Sequence, residues 1–167
     1  GGDAFFLVSE PGKPPFVIEG CGAAGSLATI DRYREKGFDA IPSRGADAAL
    51  TVAGAISAWI MAREAAAAWG GRMPLADLLG AAIGLARDGI AVTRSQVSCM
   101  TDNRAELLAV PGFTTHTHRP EGSLPEVGDR FVQARLAAVL DQLAHAGLED
   151  FYRGDVAAEI AADLDRA

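Results

Sequence analysis

The sequence predicts an α+β fold, a mostly helical chain that opens with a β-hairpin. Three observations carry that prediction. Two short aromatic and β-branched runs lie near the N-terminus, a glycine-dense stretch follows them, and most of the remainder repeats its apolar residues at helical spacing between cap and stop signals.

Phe5-Phe6-Leu7-Val8 and Phe16-Val17-Ile18 flank the turn-forming segment Ser9-Glu10-Pro11-Gly12-Lys13-Pro14-Pro15. Both runs are apolar on both faces, which suits a sheet covered on its two sides, because a lone two-stranded hairpin is marginal in water. Gly20-Cys21-Gly22-Ala23-Ala24-Gly25 then breaks regular structure. Its glycines permit positive φ and close backbone approach, so this loop is a candidate site. Thr29 is placed to cap a short helix that runs to Lys36, with Gly37 past its end.

From Asp47 to Trp69 the chain reads as a long Ala-rich helix, capped by Asp47 and stopped by Gly70-Gly71. Gly54 is its weak point, about 1 kcal/mol less favourable than Ala, and the turns before it can form a separate element. Pro74 fits the first position of the next helix, where Leu75, Leu78, Leu79, Ala82, Ile83 and Ala86 recur at helical spacing. Gly89 ends it, with Ile90 placed for the hydrophobic contact of a Schellman motif. Thr93-Arg94-Ser95-Gln96 matches a capping box for a helix reaching about Ala109, before Pro111-Gly112. Residues Phe113 to Val132 read as a long polar connection, a surface excursion or functional loop. In the next helix Leu136, Val139, Leu140 and Leu143 share a face and Gly147 is the stop; Asp155 then caps a last helix carrying Val156, Ile160 and Leu164.

A chain of 167 residues is long enough to bury about two-thirds of its unfolded surface. Net charge is −7 and the isoelectric point near 4.9, with Lys and Arg scattered, which speaks against nucleic acid and anionic membrane as partners. No apolar run approaches the roughly 20 residues of a membrane span. Gly1 to Phe6 has neither the basic region nor the apolar stretch of a signal peptide, and the compartment stays open between cytoplasm and periplasm. The abrupt start and stop lead us to expect an interior piece of a longer gene product.

Few residues carry chemistry. Cys21 and Cys99 lack the spacing of a zinc or redox motif and are expected to be free thiols. Cys21, between two glycines, is the most reactive-looking position, yet no base accompanies it and the alternative is a small apolar residue in a tight turn. His116 and His118 share one side of an extended segment, but two ligands do not make a zinc site, so no metal is expected. His145, in the last turn of its helix, is placed to complement the helix dipole. No catalytic residue emerges from the chain's own chemistry.

Several segments, taken in order, resemble the large subunit of the γ-glutamyltranspeptidase family, particularly its amidohydrolase and acylase branch. They are Gly1-Gly2-Asp3-Ala4-Phe5; Gly20-Cys21-Gly22 through Ala28-Thr29; Gly37-Phe38-Asp39-Ala40-Ile41-Pro42; Gly71-Arg72-Met73-Pro74-Leu75-Ala76-Asp77-Leu78-Leu79 with Ala81 to Gly89; Gly128-Asp129-Arg130-Phe131; and Phe151-Tyr152-Arg153-Gly154. The resemblance implies that residues 1–167 form one segment of a large subunit, with hairpin and glycine loop in 1–25 and a helical portion in 26–167. It further implies membership of an N-terminal-nucleophile hydrolase αββα sandwich. In that family a proenzyme cuts itself, and the Thr so exposed on the small subunit attacks an amide with its own α-amino group as base. Implied partners are that small subunit and a small-molecule amide; no cofactor is implied.

By the resemblance, Cys21 stands where true transpeptidases carry an Arg that grips the substrate α-carboxylate, and Ala23 where the amidohydrolase branch often has one. Ala53 and Ala58 stand where the family commonly has Pro and Gly. The expected function is therefore hydrolysis or acyl transfer on a small-molecule amide, with Cys21 and Gly22 as substrate-binding residues. A non-catalytic binding module and a γ-glutamyltransferase with an altered clamp are the alternatives.

Overall fold

The computed structural model describes residues 2–43, 45–48, 51–108, 112–113 and 123–166. They form two compact units, Gly1–Arg72 and Met73–Ala167.

In the first unit, strands β1 (Phe5–Val8) and β2 (Phe16–Glu19) pair antiparallel, with Phe6 opposite Ile18 and Val8 opposite Phe16. The ladder runs one pair further than the apolar runs, because Gly20 N–H donates to the Ala4 carbonyl at 2.8 Å and Ala4 N–H donates back at 3.3 Å. The hairpin packs on helix α2 (Ala55–Ala68), burying Ile18 with Ile56 and Ala58. Its other face is open, with Phe5, Leu7 and Val17 each 60% exposed or more. Trp69 Nε1 donates to Glu10 at 3.1 Å and ties the end of α2 to the hairpin turn.

Helix α1 (Ile30–Glu35) is capped as its sequence predicts, by Thr29 accepting from Arg32 N–H at 3.3 Å. The long helix from Asp47 is not formed. Residues Ala46–Ala48 make one 3₁₀ turn, and α2 begins only after Gly54. Asp47 does not cap it: its carboxylate pairs with Lys36 and its carbonyl accepts from Tyr33 Oη at 2.6 Å. The side chain that would have opened the helix is drawn instead to α1.

In the second unit the core lies between α3 (Leu75–Asp88) and α6 (Ala134–Ala146), where Leu79, Ile83 and Ala86 meet Ala137, Leu140 and Leu143. Burying a leucine of this kind stabilises by about 1.5–3 kcal/mol. The buried stripe is narrower than the apolar pattern: Leu78, Ala82 and Leu136 lie on exposed flanks and Val139 is half-buried. Pro74 sits at the N-cap and not inside α3, its carbonyl accepting from Asp77 and Leu78 N–H, a one-residue shift typical of helix ends.

Gly89 ends α3 as predicted, but with ψ 155° it does not take the left-handed helical conformation of a Schellman motif. Ile90 enters strand β3 (Ile90–Ala91), which pairs antiparallel with β4 (Arg130–Phe131) and leaves Ile90 44% exposed. The polar connection therefore ends in a strand. Val92, 2% exposed, exchanges backbone hydrogen bonds with Asp129 and Gly128 beside it. Thr93 caps α4 (Arg94–Asp102), accepting from Gln96 N–H at 3.2 Å. The helix breaks at Asn103, whose amide donates to the Cys99 carbonyl at 2.8 Å, and α5 (Arg104–Leu108) continues. Ala109 and Pro111 lie outside the described residues.

Asp155 is not the cap of the last helix. Helix α7 (Asp150–Arg153) precedes α8 (Asp155–Arg166), and the Asp150 carboxylate accepts from both Asp155 and Val156 N–H at 3.1 Å. That carboxylate occupies the place of a side chain at Gly154, where a Cβ would lie 1.9 Å from Asp150 Oδ1.

Candidate functional site

The glycine loop after β2 is built by steric exclusion. Gly22 has φ +79°, and a Cβ there would stand 1.7 Å from the Val52 carbonyl oxygen, so both conformation and space demand glycine. A Cβ on Gly54 would stand 2.4 Å from the Gly20 oxygen and 2.5 Å from the Gly22 nitrogen. One on Gly20 would meet the Ala58 methyl at 2.6 Å, and Ala58 is fully buried. Backbone therefore lies on backbone. Hydrogen bonds hold the arrangement: Val52 N–H donates to Ala23 C=O and Ala55 N–H to Gly2 C=O, both at 2.9 Å, and Ala24 bridges Thr51.

Cys21 sits in the middle of this loop, half-buried, as a free thiol. Its pKa is raised, first by hydrogen bonding to the Glu19 carboxylate, then by desolvation and by the negative charges of Glu19 and Asp3. A thiol so placed is held protonated, the opposite of the electropositive setting that activates a nucleophile. What the loop offers chemically is a small neutral surface edged by acid.

Sequence reasoning singled out Cys21 and Gly22 but not what surrounds them. Asp3 was legible in principle, since continuing the register from Phe5–Glu19 through Ala4–Gly20 brings Asp3 opposite Cys21. Gly54 carries a meaning its helix propensity hides: it caps α2 at the point where the loop crosses. Ala58 also meets the loop here, lying against Gly20, and the Val52-Ala53-Gly54 segment lies against Gly20 and Gly22.

The other candidates belong to the second unit. His145 is exposed in the last turn of α6, its Nδ1 2.7 Å from the Asp141 carbonyl. Cys99 is exposed on α4. His116 and His118 lie outside the described residues. Among the described residues no group of three or more His, Cys, Asp or Glu could hold a metal ion, and no helix is long and apolar enough to cross a membrane.

Comparison with known proteins gives a consistent result. A family model described as gamma-glutamyltranspeptidase matches residues 1–167. The oxamate amidohydrolase proenzyme of Klebsiella pneumoniae is 46% identical over 162 residues, covering 96% of this chain and 30% of that protein. Among solved structures, cephalosporin acylase from Bacillus halodurans superimposes with a TM-score of 0.82 at 31% identity, over 99% of this chain and 31% of that one. The γ-glutamyltranspeptidase of Helicobacter pylori gives a TM-score of 0.85 at 24% identity, over 99% and 47%, a likeness of fold alone. This chain thus spans about a third of the length of the amidohydrolase and acylase it matches.

Proposed function

This chain belongs to the γ-glutamyltranspeptidase family, with the fold of an N-terminal-nucleophile hydrolase, and from that premise we propose that its parent protein hydrolyses an amide bond of a small molecule. Cys21 and Gly22 line the acyl pocket, and a second subunit, released when the proenzyme cuts itself, supplies the nucleophile. Its N-terminal Thr hydroxyl attacks the amide carbonyl, the amine leaves, and water releases the acyl group as a carboxylic acid. The proenzyme name of the Klebsiella relative supports the two-subunit form.

The observation that carries the choice of substrate class is the setting of Cys21. A γ-glutamyl group brings an α-carboxylate that needs a cation, and this loop carries the uncharged Cys21 two residues from Glu19 and opposite Asp3 in the hairpin register. Amide hydrolysis is the reaction named for the Klebsiella relative at 46% identity.

Full-length protein tests the reading. We expect two bands on a denaturing gel after self-cleavage, ammonia release from neutral primary amides, and little p-nitroaniline from γ-glutamyl-p-nitroanilide. An intact single band, or activity that survives Thr→Ala at the new N-terminus, would overturn amide hydrolysis by this route. Efficient turnover of the γ-glutamyl substrate would overturn the substrate class.

A further inference from the structure

We propose that Gly54 and Ala58, at the start of α2, are positioning residues that fix where the Cys21 loop meets substrate; this rests on the reading that Cys21 and Gly22 line the acyl pocket. The backbone atoms that exclude a side chain at Gly54 belong to Gly20 and Gly22, the residues on either side of Cys21. Neither is a flexible side-chain end that yields cheaply. Gly20 is also held by its two hydrogen bonds to Ala4, and the loop is held downstream by Val52 N–H to Ala23 C=O. Ala58 completes the seat, its buried methyl lying against Gly20.

A methyl at position 54 must therefore be accommodated by moving the Cys21 peptides, on the order of 1 Å to regain van der Waals separation. A misplacement of that size at a substrate-positioning group costs about 10²-fold in catalytic efficiency. Because the loop binds and does not react, the loss belongs in KM. Gly80 of α3 supplies the control: a Cβ there meets nothing within 4 Å.

The test uses full-length parent protein carrying Gly54→Ala, Ala58→Gly or Gly80→Ala. For Gly54→Ala we expect self-cleavage to persist, KM for the amide substrate to rise at least about tenfold, and kcat to stay within about threefold of wild type. Gly80→Ala should leave both constants unchanged. Ala58→Gly removes atoms and adds no clash, and should raise KM by about three- to tenfold. A wild-type KM in Gly54→Ala, or a loss confined to kcat, overturns the proposal; if Gly54→Ala does not fold, a wild-type KM in Ala58→Gly overturns it. Wild-type protein inactive on every amide would refute the proposed function, not the seating of the loop. Alkylation of Cys21 in a Cys99→Ser background then decides: Gly54→Ala should change its rate at least about threefold, and an unchanged rate overturns the proposal.

Discussion

At Cys21 two carboxylates decide what a thiol can do. Because the Glu19 hydrogen bond stabilises the protonated form, the thiolate fraction at any pH near neutrality is smaller than for an ordinary cysteine. Glu19→Gln should lower the Cys21 pKa, so that alkylation by iodoacetamide becomes faster at pH 8 and its pH profile shifts to lower pH. An unchanged profile would show that Glu19 does not govern the thiol. Core residues obey a simpler rule. Leu143, 1% exposed between α3 and α6, should cost about 2–5 kcal/mol when replaced by Ala, read as loss of hydrogen-exchange protection in the second unit.

Among elements, the junction of α7 and α8 has the clearest internal logic. Asp150 satisfies two backbone donors of α8, and its carboxylate fills the space that a side chain at Gly154 would need. Asp150→Ala should weaken the start of α8 by about 0.5–2 kcal/mol. Gly154→Ala should cost more in the native background and less once Asp150 is already Ala, because the clash goes with the carboxylate. A double-mutant cycle read by exchange of the α8 amides checks this, and strict additivity would disprove the coupling. Asp155, the residue that sequence marks as the cap, sits five residues beyond the carboxylate that accepts from its own N–H. Local cap signatures compete, and tertiary geometry chooses among them.

For the whole molecule, local chemistry foretold most elements, and two of the misses share one cause. The hairpin, α1 and the leucine stripe of α3 follow from side-chain patterns that act within a few residues. The late start of α2 and the pairing of Ile90 with Phe131 depend on partners far away in sequence: a loop laid over Gly54, and a strand forty residues on. The site divides likewise. Cys21 and Gly22 announce themselves by composition, while Asp3, Gly54 and Ala58 join them only through hairpin register and close approach. The doubly apolar strands also led us to expect cover on both faces, and α2 covers one. In the full-length protein we therefore expect Leu7→Lys to reduce the yield of self-cleaved two-subunit protein, measured on a denaturing gel beside wild type; an unchanged yield would mean that nothing seats on that face.

That open face also bears on synthesis. Domains fold from the N-terminus as the chain emerges, at about 5–20 residues per second. β1 and β2 are separated by one short turn and can pair early, presenting Phe5, Leu7 and Val17 to the cytosol or a chaperone before later segments exist. The hairpin is then a sticky intermediate in time as well as a surface in space. Slower, cooler expression or more abundant chaperone should favour the full-length protein most, while charge added at Leu7 should relieve aggregation during synthesis even as it impairs assembly.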